Sequence, residues 1–155
     1  MKKDYINIQT EDFDHQQLMT WLQQTDGPYG ALVTFTGVVR DSYSQDLQSL
    51  FLEHYPGMTE SSLASIIQRA RKRWDLGRVS IVHRIGELQI NDNIVFVGVV
   101  SAHRACAFQA SQFIMDYLKK DAPFWKKETS IHQSSEQGTW VEQKASDLEA
   151  AQNWK

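Results

Sequence analysis

The chain has 155 residues, of which 41% are hydrophobic and 23% charged, and its formal net charge is −3. These values suit one globular domain. They argue against a nucleic-acid-binding protein, because such proteins usually carry a basic surface. The single cysteine, Cys106, excludes an internal disulfide and any zinc site built on several cysteines. No stretch approaches the ~20 apolar residues of a membrane span or resembles a signal peptide, so we expect a soluble cytoplasmic protein that binds no membrane.

The first predicted elements are a strand, a helix and a second strand. Residues 5–9 predict an edge strand. Residues 13–24 carry leucine and tryptophan side chains at helical spacing, with Asp12 or Asp14 available as the cap. Residues 31–39 are rich in β-branched side chains and predict a buried strand.

The middle of the chain predicts a strand over 49–55 and then the clearest helix. The apolar side chains of this helix recur at the spacing of one helix face: Leu63, Ile66, Ile67, Ala70 and Trp74. Thr59 is predicted to be the N-cap of the helix. Basic residues cover the opposite face, which we expect to be solvated.

Two more strands and a long helix follow. The strands are predicted at 78–86 and 94–102, and the helix at 102–120, which ends before Pro123. Short strands are predicted in the segments FWKKET and TWVEQ, and a last helix at 146–154.

This order of elements mixes hairpins with crossover connections. It predicts an α+β fold with a mainly antiparallel or mixed sheet, rather than a doubly wound parallel sheet. We expect residues 1–155 to form one domain, with room for a small appended lobe. No glycine-rich nucleotide fingerprint follows any predicted strand.

Cationic side chains cluster at the ends of the predicted elements. Arg40 closes the strand over 31–39, and His103 and Arg104 open the long helix. A helix N-terminus with two added cations is a natural site for an anion. The plainer alternative is that Arg104 is an ordinary surface residue and His103 a capping residue.

The segment YLKKDAPFWKKE, residues 117–128, interleaves two lysine pairs with an apolar Pro-Phe-Trp island. A lysine beside buried aromatic residues is partly desolvated, which lowers its pKa and suits it to proton transfer. On this interpretation Lys119 and Lys126 face the site, while Lys120 and Lys127 face outward. The alternative is that all four lysines are exposed and the island only packs on the core.

Other candidates carry weaker signals. The five histidines show no HxH or HExxH spacing, so we expect no metal site. Cys106 falls on the apolar stripe of the long helix and is expected to be a buried, inert thiol.

Several motifs together resemble one known family. TFTGVVRD, LEHYPGMTE, RWDLGRVSIVHRIGEL, IVFVGVVSAHRACAF, FIMDYLKKDAPFWKKE and the late WVE are similar to the large, catalytic subunit of molybdopterin synthase. The resemblance runs almost without interruption from about Gly30 to Glu128 and resumes at Trp140. Independent motifs agree in order and spacing, which makes the resemblance specific.

The resemblance implies an α/β hammerhead fold with an additional antiparallel β-rich subdomain. It also implies a sulfurtransferase that converts cyclic pyranopterin monophosphate (precursor Z) into molybdopterin, in the biosynthesis of the molybdenum cofactor. The two sulfurs would come from a thiocarboxylate on the Gly-Gly tail of a small ubiquitin-like subunit. The implied assembly is a heterotetramer around a homodimer of the large subunit, and the chemistry needs no metal or redox cofactor.

The resemblance also implies which residues form the site. Lys119 and Lys126 match the essential lysines of the family. The substrate-binding positions implied by the resemblance are Arg40, His103, Arg104, Val38, Val39, Lys127, Glu128, Phe35 and Met115. Lys144 is loosely aligned with a position where relatives carry arginine, and some relatives carry a lysine where this chain has Val38.

Two rival functions use the same residues. A non-catalytic module that binds anions or RNA would need only the cations, although the net charge of −3 argues against it. A lysine Schiff-base enzyme would use a desolvated lysine on a carbonyl substrate. Borohydride trapping with a carbonyl substrate would identify the second rival.

Overall fold

A computed structural model describes residues 3–133 and 137–154 of the chain. The strands are β1 Asp4–Gln9, β2 Ala31–Val38, β3 Leu47–His54, β4 Leu76–Arg84, β5 Gly86–Leu88, β6 Asn93–Ser101, β7 Phe124–Ser130 and β8 Thr139–Val141. The helices are α1 His15–Gln23, α2 Met58–Arg73, α3 Arg104–Asp121 and α4 Ala145–Gln152. The predicted α+β class is confirmed.

The first sheet has the strand order β1-β4-β6-β2. β1 runs parallel to β4, and the other neighbours are antiparallel. Helices cover both faces of its central strands, because the buried residues of α2 and α3 pack with Val79 and Ile81 of β4, while those of α1 pack with Val82. This explains why β4 and β6 are buried along almost their whole length.

The prediction that residues 31–39 form a buried strand is wrong in one respect. The segment forms β2, but β2 is the outer strand of its sheet, and none of its residues is fully buried. Phe35 and Val38 are 43% and 49% exposed. Residues 5–9, by contrast, form the other outer strand, as predicted.

The second sheet is antiparallel and has the order β5-β3-β7-β8. A separate apolar cluster lies beneath it and is composed of Val39, Leu47, Leu50, Leu52 and Leu88. The additional antiparallel β-rich part of the fold is therefore present. It holds the strand that carries Lys126.

The helix caps agree with the sequence in one case and differ in another. Asp14 caps α1, since its carboxylate accepts hydrogen bonds from the backbone N–H groups of the next turn. Gly57, and not Thr59, is the N-cap of α2, because the turn before the helix requires a positive φ of 84°. Thr59 is buried within the helix, and its hydroxyl donates to the Pro123 carbonyl at 3.1 Å.

The C-terminal segment packs against α3. The indole N–H of Trp154 donates to the Asp116 carboxylate at 2.7 Å, and the Trp154 ring makes edge contacts with Trp74 and Phe113. Within residues 3–133 and 137–154, no helix has the length and apolar character needed to cross a membrane.

Candidate active site

Lys126 points to the inner side of the second sheet. Successive side chains of a strand alternate between its faces, and Lys126 lies opposite the buried Leu52 of β3. Burial, followed by the charge of Lys119 and a hydrogen bond with Lys119, lowers the pKa of Lys126 to about 8. An amine with this pKa exchanges its proton readily near neutral pH.

Lys119 lies in the last turn of α3 and lines a cavity of about 250 Å³. Phe35 from β2 and Met115 from α3 form the apolar part of the lining. Four residues predicted from the sequence, the two lysines and these two apolar side chains, therefore lie in one region. Since the Lys119 ammonium also acts on Lys126, this region combines cations with an apolar wall.

The outward members of the lysine pairs have different surroundings. Lys127 extends over the exposed Trp140 ring, 5.9 Å from the ring centroid, on the outer side of the sheet. Lys120 lies over the Tyr117 ring at 5.7 Å, with its ammonium 3.9 Å from the Asp121 carboxylate. The Lys126 and Lys127 side chains thus divide as predicted. The first pair does not, because Lys119 is exposed in the cavity whereas Lys120 is half-buried over Tyr117.

Two of the phosphate-binding candidates, His103 and Arg104, lie far from the lysines of the same chain. His103 is the N-cap residue of α3 and makes no capping hydrogen bond with its side chain, and Arg104 is the first residue of the helix. Both side chains are exposed. Arg40 follows β2, and its guanidinium lies 5.5 Å from the centroid of the Tyr43 ring. His103 and Lys119 are separated by nearly the full length of α3.

The remaining predicted positions differ in exposure. Val38 is exposed at the end of β2, and Glu128 is exposed on the same face of β7 as Lys126. Val39 is only 1% exposed, and both its backbone N–H and its carbonyl bond to the turn at residues 91–92. Its side chain belongs to the apolar cluster under the second sheet and does not face the cavity.

Several residues near the lysines were not singled out from the sequence. The cavity is also lined by Ser111, Gln112 and Asp116, which share a face of α3 with Lys119 at helical spacing. Gln112 donates to the Asp116 carboxylate at 2.8 Å. Helical spacing from Lys119 was the signal that could have identified these three.

His83 is a further residue that sequence spacing did not reveal. It lies near the end of β4 and is 5% exposed. Its ring stacks on Phe124 with 3.8 Å between centroids and 15° between planes. Burial lowers the pKa of His83 to about 3, and the charges of Lys119 and Lys126 contribute to this lowering.

Two other expectations concern cysteine and metal. Cys106 is a free thiol that is half-buried, and not fully buried as expected, because the innermost position of that helical turn belongs to Ala107. Among the described ranges of the chain, no three His, Cys, Asp or Glu side chains lie close enough together to hold a metal ion.

Comparisons with known proteins point to one family. The model of the family described as MoaE protein matches residues 8–121. The chain is 51% identical to the molybdopterin synthase catalytic subunit of Escherichia coli (strain K12), over 99% of this chain and 100% of that protein. The structure matches molybdopterin cofactor biosynthesis protein E from Burkholderia multivorans ATCC 17616 with a TM-score of 0.82 and 42% identity, over 99% of this chain and 97% of that one. It also matches molybdopterin synthase from Staphylococcus aureus with a TM-score of 0.76 and 33% identity, over 92% of this chain and 98% of that one. The chain therefore belongs to the MoaE protein family.

Proposed function

We propose that this chain is the catalytic subunit of a molybdopterin synthase, a sulfurtransferase of molybdenum cofactor biosynthesis. The reaction is the conversion of cyclic pyranopterin monophosphate into molybdopterin by transfer of two sulfurs. The observation that carries the proposal is the Lys119–Lys126 pair beside a cavity that has an apolar wall of Phe35 and Met115. Full-length similarity to a protein named molybdopterin synthase catalytic subunit supports it.

The sulfur donor is a small ubiquitin-like subunit with a C-terminal Gly-Gly thiocarboxylate. Its anionic tail has to approach an anionic pterin phosphate, so the site must supply positive charge and exclude water. Glycine suits such a tail because it lets the backbone pass close to the walls of a narrow cleft. The two lysines supply the charge, and Phe35 and Met115 supply apolar walls.

The two lysines have different roles in this proposal. Lys119 is exposed in the cavity, where it can pair with the tail carboxylate and with the reacting sulfur. Lys126 is more buried, and its pKa of about 8 allows it to give or take a proton during the reaction. Arg40, His103 and Arg104 bind the substrate phosphate, the last two from a second copy of the chain in a homodimer. Two such copies with two small subunits form the heterotetramer, which works in the cytoplasm.

The direct test is a reconstitution. The full chain is incubated with precursor Z and the thiocarboxylated small subunit, and the dithiolene product is detected after oxidation to a fluorescent derivative. The same small subunit with an ordinary C-terminal carboxylate is the matched control and should give no product. A folded chain that binds the thiocarboxylated subunit and precursor Z but yields no dithiolene would contradict the proposal.

A further inference from the structure

His83 has a single tautomer available in this fold. Its Nδ1 lies 2.8 Å from the carbonyl oxygen of Arg84. A carbonyl oxygen can only accept, so Nδ1 carries the proton and donates, which leaves Nε2 with a lone pair. The hydrogen bond also determines the plane in which the ring lies.

The His83 ring lies against the face of β7 that carries Lys126. It stacks on Phe124 at 3.8 Å. Phe124 and Lys126 are two residues apart on one strand, so their side chains point to the same side. Their partners across β3 are His54 and the buried Leu52. His83, Phe124 and Lys126 therefore share the space beneath the second sheet.

The charged and titratable groups around this space come from several elements. Those acting on His83 are Lys119 of α3, Lys126 of β7 and His54 of β3, together with the backbone of Arg84 on its own strand. Those acting on Lys126 are Lys119, Lys144 and Asp147. Because burial and the neighbouring lysines hold the pKa of His83 at about 3, the ring is neutral near pH 7 and is too weak a base to accept a proton from either lysine.

We propose that His83 is a positioning residue for sulfur transfer: its neutral ring, held by the Arg84 carbonyl, supports Phe124 and keeps water away from the Lys126 amine. This inference rests on the proposed function. It assigns His83 no contact with substrate and no proton transfer. Its effect is on Lys126, whose pKa depends first on burial.

Substitutions of His83 that keep a ring and those that remove it should differ in their effect on Lys126. His83→Phe keeps a flat ring that can stack on Phe124 and keeps the space dry. His83→Ala removes the ring and admits water, which relieves the desolvation of Lys126 and raises its pKa toward the ordinary lysine value. His83→Leu fills the volume without a stacking plane, and serves if the alanine variant fails to fold.

The pKa of Lys126 can be measured without turnover. The lysines of the full chain are labelled by reductive methylation with ¹³C, the Lys126 signal is identified by its loss in Lys126→Arg, and its chemical shift is followed with pH. We expect a midpoint near 8 for the wild type and His83→Phe, and a midpoint higher by roughly one unit for His83→Ala. His132→Ala, which removes an exposed histidine, is the matched control and should leave the midpoint unchanged.

The pH profile of single-turnover sulfur transfer should show the same displacement. A general loss of stability would lower the amplitude of the profile but would not move its midpoint. An unchanged Lys126 midpoint in both His83→Ala and His83→Leu would overturn the inference, as would a His83→Phe midpoint as high as that of alanine. If the midpoint moves but the wild type makes no dithiolene, the effect of His83 on the Lys126 amine is upheld and the proposed function fails.

Discussion

His103 and Lys119 lie at opposite ends of one unbroken helix, His103 at the N-cap of α3 and Lys119 in its last turn. At about 1.5 Å per residue, their Cα atoms are roughly 24 Å apart. One small pterin cannot touch both side chains of the same chain. If both bind substrate, the site must combine Lys119 of one copy with His103 and Arg104 of another, as a two-fold dimer allows.

Subunit complementation tests this shared site. Lys119→Ala and Arg104→Ala chains, each inactive alone, are mixed under conditions that let subunits exchange. Each heterodimer would regain one intact site, so we expect up to about half of the wild-type activity per dimer. Heterodimers that form, as verified with two affinity tags, but remain inactive would exclude the shared site.

Lys119→Ala and Lys120→Ala should differ strongly in turnover. Lys119 lines the cavity, whereas Lys120 lies over Tyr117 and beside Asp121. Removing one preorganised charge from such a site lowers the rate by ~10²–10³, so Lys119→Ala should be nearly inactive. Lys120→Ala should stay within a fewfold of wild type. The measurement is single-turnover dithiolene formation, with circular dichroism to verify the fold, and equal losses would refute the assignment.

Lys126→Met should increase stability while it abolishes turnover. Burial lowers the pKa of Lys126 from 10.5 to about 8. At neutral pH the folded chain therefore carries a protonated amine whose desolvation destabilises the fold. Between pH 8 and 10.5 the unfolded chain binds more protons, and the unfolding free energy of the wild type rises with pH.

Methionine has no such charge. We therefore expect Lys126→Met to raise the unfolding free energy at pH 7 by roughly 1–3 kcal/mol, with the advantage shrinking toward pH 10.5. Urea denaturation at several pH values measures it. Lys127→Met, which removes a lysine from the outer side of the same strand, is the control. A Lys126→Met difference that stays constant with pH would contradict the lowered pKa.

His83 should make the fold sensitive to acid. Burial lowers its pKa from 6.5 to about 3. Between these pH values the His83 ring is protonated in the unfolded chain but not in the folded chain. The unfolding free energy should therefore fall as pH drops from 6.5 toward 3, by at most about 1.4 kcal/mol per pH unit from this residue. In His83→Phe this contribution disappears. The measurement is the difference in unfolding free energy between the wild type and His83→Phe from pH 6.5 to 3. A difference that does not change with pH would contradict the lowered pKa of His83.

The indole N–H of Trp154 should stabilise the C-terminal segment through Asp116. This bond joins a donor to a buried carboxylate at 2.7 Å, whereas Trp74 donates to the Gln109 amide at 3.2 Å. Both tryptophans can be changed to phenylalanine, which keeps a ring in place. We expect Trp154→Phe to lower the unfolding free energy by about 1.5–3 kcal/mol and Trp74→Phe by about 0.5–1.5 kcal/mol. Thermal and urea denaturation measure both losses. Equal losses of unfolding free energy in Trp154→Phe and Trp74→Phe would show that the bond to the Asp116 carboxylate adds no stability.

What the sequence predicted well depends on short-range periodicity. The division of Lys126 and Lys127 between the two faces of β7 follows from the two-residue period of a strand. The cap of α1 is equally local, because Asp14 bonds to the backbone of its own next turn. The apolar face of α2 also agrees, with Leu63, Ile66, Ile67 and Ala70 all buried.

What the sequence did not predict depends on partners far along the chain. Thr59 looks like a cap, yet its hydroxyl bonds to a carbonyl 64 residues away. The exposure of β2 follows from the order of strands in the sheet, which composition does not encode. His83 matters because of Phe124, a contact between two elements that are joined only in the folded chain. For the site, the motif resemblance named the lysines, whereas the only sequence signal for Asp116 was its helical spacing from Lys119.

The alternation of Lys126 and Lys127 has a consequence for changes in chain length. β7 begins at Phe124, directly after the carbonyl of Pro123 that Thr59 holds. One residue inserted between Pro123 and Lys126 would rotate the strand by half a period, send Lys126 into solvent and bring Lys127 inside. Insertions after Ser130 come downstream of both lysines, so Lys126 still faces inward and Lys127 still faces outward. Length differences among members of the family should therefore be tolerated beyond Ser130 and excluded from the three positions before Lys126.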